Sequence, residues 1–516
     1  MRIARPRGCG PALDIRPRLT ERRGVLPRAA IAAAWAFAAA PALWVAALPA
    51  SRFLAEVMTL DAAAYPVIAA HLAAGDGPTF DGETPTNGVQ PLWLLLHLPW
   101  FLGAERALDR LWVTQLLAAA TTLLAIWRWS HALRTLGADA SRARLAAALL
   151  GGSGYALYVL ASGMEAPLAL WLLAEVVAAA ARRTTDDAPP RPAAALALGG
   201  LAGLAVLARL DHALVLAPLG LWLAGRWRRA PSTVAAATAG AFAPLLPYGL
   251  WNLSRFGALL PVSGIAKRAD VGPWVAARVN VWLLHERVDA ILPLPLWATA
   301  LGLALAALAA VWLVRAAAAR LPTPAGRHVF GALGLGVALH AAVWLLAMRE
   351  FGVVWHVVAA VALVSASVAL VWPARAQAAV WALAVVLLVG WVAAKRVRRP
   401  ERRFDDVALA WMADLPAEAR VGLYDGWFVR LRAPQARYIA ELSGLVGDAA
   451  DARDGKRRDA PAIARRHRLD YVIEPDSWAA RWVGWREVGR SGPELGGPPF
   501  PVVLLRRPDG PAVDPP

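Results

Sequence analysis

The chain has 516 residues, 58% of them hydrophobic, with a mean hydropathy of +0.46 and a formal net charge of +17. Its apolar residues come in long runs of Ala, Leu, Val and Trp rather than in alternating or heptad patterns, a composition of lipid-embedded proteins rather than soluble or coiled-coil ones. A single cysteine, Cys9, excludes an intramolecular disulfide and a Cys-based metal site. Many of the arginines lie in short loops between apolar runs, where topology and anionic headgroups account for the charge with no nucleic-acid partner.

Eight arginines between Arg2 and Arg28 mark residues 1–28 as a basic cytoplasmic N-terminus. A signal peptide would have a shorter apolar region and a small-residue cleavage site, so the run 29–50 that follows is read as a retained helix. Further spans are predicted near 111–127, 145–161, 166–181, 194–209, 211–225, 233–251, 291–314, 329–347, 353–372 and 378–394, about 11 in all against the roughly 20 residues a bilayer core requires. The loops holding Arg128–Arg144, Arg182–Arg191, Arg226–Arg229 and Arg315–Arg327 are basic and belong with the N-terminus on the cytoplasmic side. If Pro91–Leu102 also crossed, every later basic loop would flip outward, so this stretch is expected to be a short or half-inserted helix at the outer surface. Outer loops are then 51–110 and 252–290.

The predicted fold class is an all-α polytopic membrane bundle over 29–394, with a small soluble α/β domain at 395–507 and a disordered tail at 508–516. In that domain ARVGLYD, LDYVIEP and PVVLLRR read as strands, and Ala436–Leu445 as a helix. The domain is expected outside, although the basic run from Lys395 to Arg403 pulls the other way.

Ionisable groups at mid-bilayer cost roughly 2.5–3.5 kcal/mol on insertion scales, so those at span ends on one face need a reason. On the outer face these are Asp61, Glu165, Arg209, Asp211, Arg255, Lys267, Arg268, Arg349 and Glu350. Five separate connections carry them, and a helical bundle can bring such connections together. The most informative stretch is Thr59–Trp93, in which Asp61 begins a predicted amphipathic helix, Gly75, Gly77 and Pro78 end it, and Pro91 opens the next apolar helix after a polar loop.

That stretch resembles the first outer loop of bacterial C-type glycosyltransferases, the superfamily of protein mannosyltransferases and lipid A aminoarabinose transferases. The chain has TFDG, PTNG and PLW within it, and then SGMEAPL at 162–168, LARLDH at 207–212 and PYGLWNLSRFGALLPVSGIAKR at 247–268. The resemblance covers most of the first 270 residues. It departs in two places: relatives carry two adjacent acidic residues and two aromatics where this chain has Leu60, Asp61, Ala62, Ala63, Ala64 and Tyr65, and their histidine before Pro-Leu-Trp is Gln90 here.

The resemblance implies transfer of a sugar from a polyprenyl-phosphate carrier to a lipid, polysaccharide or protein acceptor, at the outer face of a bacterial cytoplasmic membrane. It implies Asp61 as general base in an inverting displacement, and partial desolvation at the interface suits a carboxylate to that task. Lys267 and Arg255, with Arg209 or Arg268 in support, would hold the departing phosphate. Glu165 and Asp211 would orient those cations or the acceptor, and Asn87 and Gln90 would contact substrate. No cofactor is certain. Scattered histidines lack metal-ligand spacing, and a divalent cation (Mg or Mn) bridging Asp61 and the lipid phosphate stays open.

Plainer roles compete at each position. Asp61 can be a helix N-cap, Glu165 and Asp211 structural partners of arginines, Lys267 and Arg255 snorkelling cations, and Asn87–Gly88 a turn. The chain has no Walker loop, dinucleotide fingerprint or nucleophile elbow, which weighs against soluble nucleotide-sugar chemistry. Two other functions stay open: a lipid-linked sugar flippase or other transporter, which would favour pseudo-symmetric halves, and a non-catalytic envelope assembly protein.

Overall fold

The computed structural model describes residues 28–104, 106–185, 188–289, 295–348, 354–372, 401–424, 426–434, 436–456, 459–491 and 501–508. The predicted span 378–394, most of the basic N-terminus, Arg349, Glu350 and most of the tail lie outside the described residues.

The first long helix, α1 (Arg28–Ala47), turns sharply at Pro49 into α2 (Ala50–Glu56), which is bent 119° away from it and does not prolong the span. A 3-10 turn, Leu60–Ala63, leads into α3 (Ala64–Ala74), which stops at Gly75 with φ of 98°, a left-handed conformation that costs a glycine nothing. Sequence patterning predicted an amphipathic helix here. Instead every residue from Ala64 to His71 is buried, because the helix is covered by α4 (Pro91–Phe101) and by the C-terminal domain. Pro91 at the first turn of α4 suits a helix start, and 11 residues reach only about half a bilayer. The expectation that 91–102 does not cross agrees with that length.

The bundle continues with α5 (Leu111–Thr135), α6 (Ala140–Gly151), α7 (Ala166–Arg183), α8 (Pro192–Ala208), α9 (His212–Arg226), α10 (Pro231–Phe242), α11 (Leu245–Phe256), the short α12 (Val262–Lys267), α13 (Pro273–Asp289), α14 (Leu296–Arg320), α15 (Pro324–Ala347) and α16 (Val358–Val371). Asp139 caps α6 by accepting from the N–H groups of Ser141 and Arg142. Helices α8 and α10 touch through their backbones: a Cβ on Gly199 would lie 2.0 Å from the Ala237 carbonyl oxygen, and one on Gly240 2.1 Å from that of Leu196. Small residues at such crossings are how helices associate in lipid, where no hydrophobic force drives them together. Among the described residues three helices are long and apolar enough to cross a membrane alone, or up to five if two bent pairs each count as one. Runs predicted as single spans are shorter or broken here. The stretch 145–161 divides into the end of α6 and a π-helical turn at Ala156–Leu160.

The four basic connections gather at one end of the bundle. Gly137 lies against Pro322 and Gly326 against the Leu136 carbonyl, Arg226 donates to the Thr184 carbonyl, and Trp222 stacks on His328.

The C-terminal domain comprises α17 (Glu401–Asp414), β1 (Val421–Leu423), α18 (Trp427–Arg432), β2 (Ile439–Glu441), α19 (Ala449–Lys456), α20 (Ala460–Arg466), β3 (Tyr471–Pro475), β4 (Arg486–Ser491) and β5 (Val502–Arg506). Its sheet runs β2-β1-β3-β5-β4, with β2, β1 and β3 parallel and β5 antiparallel to both neighbours. Side chains of α17 and α18 pack on one face and of α20 on the other. The three predicted strands are present. The predicted helix at 436–445 is instead β2, because pairing with β1 and burial of Ile439, Ala440 and Glu441 override the helical propensity of its residues.

This domain rests on the first outer loop. Arg420 makes a two-pronged ion pair with Glu83 at 2.8 and 2.9 Å, Tyr438 donates to Asp81 at 3.0 Å, and buried Arg430 donates to the Phe80 carbonyl at 3.0 Å and meets His71. On its other flank Ala452 packs on Val262 and Ala266 of α12. The domain therefore shares a side with loop 51–110, the relation expected if both are outside.

Candidate active site

At the end of the bundle opposite the basic connections lies a cavity of about 370 Å³. Separate stretches of chain build it: the 3-10 turn and start of α3, the loop before α4, the turn before α7, the α8–α9 turn, α12 with the residues before it, the end of α15, and His356. Trp427, Leu445 and Val446 of the C-terminal domain roof it.

Among the sequence-predicted residues, Asp61, Gln90, Glu165, Arg209, Asp211 and Lys267 line this cavity. Asp61 sits on the 3-10 turn, partly exposed, while its neighbours Ala62 and Ala63 point into the protein and anchor the turn. Lys267 ends α12 across the cavity. Arg255 and Arg268 are exposed and are not part of the lining. Asn87 is buried and works as a clamp: its amide donates to Asn252 Oδ1 at 2.9 Å, and its Oδ1 accepts from the Val262 N–H at 2.8 Å. The Asn87 clamp fixes the first loop to α11 and to the start of α12.

The cavity floor is an ion cluster around Arg209. Its guanidinium donates to Glu165 Oε1 at 2.7 Å and lies 2.9 Å from Asp211 Oδ1, and Glu165 and Arg209 are only 2% and 1% exposed. Tyr65 donates to the second Glu165 oxygen at 2.7 Å. Asp211 Oδ2 is shared by His340 Nε2 at 3.0 Å and Trp344 Nε1 at 3.3 Å, with His356 Nδ1 at 3.4 Å and also against Arg209. Charges so deep are stable only when paired, and here Arg209 is paired with both carboxylates, although its Nε and Asp211 Oδ1 make no hydrogen bond. Gln90 Oε1 accepts from the Leu210 N–H at 3.0 Å, so the residue standing where relatives have histidine joins the first loop to the Arg209 turn.

Several of these neighbours were not singled out from sequence. Tyr65 lies one helical turn beyond Asp61, and His340 and Trp344 are four apart on α15, so each spacing was available as a signal. No spacing joins Trp427 to Asp61 across more than three hundred residues.

Among the described residues no three His, Cys, Asp or Glu side chains converge as ligands, and the carboxylates of Glu165 and Asp211 are held by Arg209.

No family model matches the sequence, and no curated protein matches it. Solved structures do resemble the fold. They include an oligosaccharyltransferase of Archaeoglobus fulgidus in complex with Zn and sulfate, 16% identical with a TM-score of 0.49 over 86% of this chain and 68% of that one. ArnT from Cupriavidus metallidurans is 13% identical, TM-score 0.41, over 89% of this chain and 95% of that one. The arabinofuranosyltransferase AftD from Mycobacteria is 14% identical, TM-score 0.43, over 94% of this chain and 40% of that one. Likenesses this distant leave the chemistry of this chain to be argued from its own residues.

Proposed function

We propose that this multi-pass membrane protein transfers a sugar from a polyprenyl-phosphate carrier to a cell-envelope acceptor at the outer face of a bacterial cytoplasmic membrane. The observation carrying this reading is that one cavity, opposite the basic connections, gathers Asp61, Lys267 and the Glu165–Arg209–Asp211 cluster from distant parts of the chain. A base beside a cation, at a membrane end, is what displacement of a lipid phosphate needs.

In the proposed step Asp61 removes the proton from an acceptor hydroxyl. The hydroxyl oxygen bonds to the anomeric carbon from the face opposite the phosphate, the bond from that carbon to the phosphate oxygen breaks with inversion, and the electron pair leaves with the phosphate. Lys267, which adds positive charge to the cavity beyond the paired Arg209, holds the departing phosphate as its charge develops. Arg209 supports it while Glu165, Asp211 and Tyr65 fix the orientation of the guanidinium. Trp427 and the roof keep water from competing with the acceptor.

The test is transfer of radiolabelled sugar from a panel of polyprenyl-phosphate sugars into envelope fractions, by membranes carrying the wild type or Asp61→Asn at matched protein levels. Transfer by the wild type that disappears in the variant supports the reading. Equal transfer by both removes Asp61 from the mechanism, and no transfer from any donor, with working controls, shifts the function to transport or assembly.

A further inference from the structure

Among the described residues, the exposed large apolar side chains lie almost entirely in the helical part, residues 28–372. In the described C-terminal domain only Trp478, 39% exposed, and Val483, 91% exposed, stand out, and both are in the connection between β3 and β4. Trp478 is half of a built arrangement. Its ring meets that of Tyr424 edge-on, centroids 4.5 Å apart at 82°, and the Arg481 guanidinium lies 5.0 Å from the Trp478 centroid and 5.6 Å from that of Tyr424. Behind them the fully buried Glu474 accepts from Arg481 and from the indole N–H of Trp482.

The position matters as much as the rings. In the order β2-β1-β3, helices from successive connections cover opposite faces, and the crevice beyond the carboxyl ends of β1 and β3 is where open α/β sheets bind ligands. Tyr424 follows β1 and Trp478 follows β3, so the pair flanks that crevice. The segments after β1 and β2 also supply Trp427, Leu445 and Val446 to the cavity roof, so Tyr424 at the crevice lies three residues from the roof residue Trp427.

We propose that Tyr424, Trp478 and Arg481 form a saccharide-binding site that holds an uncharged stretch of the acceptor glycan beside the cavity. An aromatic face takes the apolar C–H face of a sugar ring, while fixed polar groups at its edge take hydroxyls. Arg481 supplies such donors, and its pairing with Glu474 cancels the charge that would otherwise select an anionic sugar. The proposal goes beyond the transferase reading, and its test reads binding rather than turnover, so either can fail without the other.

The experiment applies the full-length protein in nanodiscs to an array of neutral and acidic bacterial oligosaccharides, with Trp478→Ala and Trp478→Tyr alongside. Retention of neutral glycans by the wild type, at least tenfold weaker for Trp478→Ala and largely kept by Trp478→Tyr, is the expected result. No glycan retained by the wild type, or equal retention by Trp478→Ala, overturns the proposal. Preference for acidic glycans alone overturns the assignment of an uncharged ligand. A membrane-seated Trp478 is separated by a nitroxide at Ser477→Cys in a Cys9→Ser background: accessibility to a water-soluble relaxant is expected, and a label at acyl-chain depth overturns the site.

Discussion

Tyr65 and Glu165, a hundred residues apart in the chain, share a buried 2.7 Å hydrogen bond that ties the helix after Asp61 to the ion cluster around Arg209. Tyr65→Phe removes the donor and leaves Glu165 with Arg209 alone. The expected cost is about 1–2 kcal/mol of stability, seen as a lowered melting temperature in detergent, together with a severalfold loss of kcat/KM for transfer. A wild-type melting temperature would show that the bond contributes nothing net.

Arg209 compensates two carboxylates in a dry site, so Arg209→Met is expected to be severe. Removing one member of a buried ion cluster costs about 3–5 kcal/mol, and detergent-extracted protein should aggregate on size exclusion. Adding Glu165→Gln to that variant removes one stranded charge and is expected to recover part of the monodisperse fraction.

Lys267 lines the cavity, whereas Arg255 and Arg268 do not. Lys267→Met is expected to raise KM for the polyprenyl-phosphate donor and lower kcat by at least about tenfold, the scale of a lost charged contact of roughly 1.5–3 kcal/mol, with Lys267→Arg intermediate. Arg255→Ala and Arg268→Ala are expected to stay within about twofold of wild type on the same assay, as surface changes do.

His467 lies between Asp451 at 2.8 Å and Asp81 at 3.5 Å, in the contact between the C-terminal domain and the first loop. Burial disfavours its charged form, but the Asp451 hydrogen bond and the charges of Asp451 and Asp81 outweigh that, against the opposing Arg466, and hold it above the usual histidine range. A raised folded pKa contributes stability that is complete below the unfolded value near about 6.5 and is lost as pH rises through the folded one. Asp451 is the reverse: burial raises it, but His467 and Arg466 win and hold it low, so its contribution fades as pH falls. Proteolytic release of the C-terminal domain should therefore be slowest in mildly acidic buffer and faster above neutrality, and His467→Gln should flatten the alkaline arm.

Chelation by EDTA is expected to leave transfer unchanged, because the carboxylates of Glu165 and Asp211 are held by Arg209 and no three side chains converge as ligands among the described residues. Loss of transfer restored by Mg²⁺ or Mn²⁺ would mean that a cation arrives with the substrate and bridges Asp61 to its phosphate.

Much of this architecture was legible because lipid imposes simple rules. Arginine-rich connections had to share a side, Pro91–Leu102 could not cross without reversing them, and Asp61, Glu165, Arg209, Asp211 and Lys267 stood out because ionisable groups at one set of span ends are costly. Contacts made by the docked domain were not legible. The burial of α3 all round, the strand at Ile439–Glu441 and the roof over the cavity each depend on a partner surface hundreds of residues away, which leaves no local period. Gln90 is a similar case: it lines the cavity, and its tether to the Leu210 N–H, 120 residues away, leaves no local pattern either.

The roof also sets an order of events in the life of the chain. The lining is unfinished until Trp427, Leu445 and Val446 have been synthesised, moved to the side of the first outer loop and docked on Asp81 and Glu83. A chain in which this domain has not docked would hold its polar cavity open to water, so the proposed chemistry would wait on that one docking event.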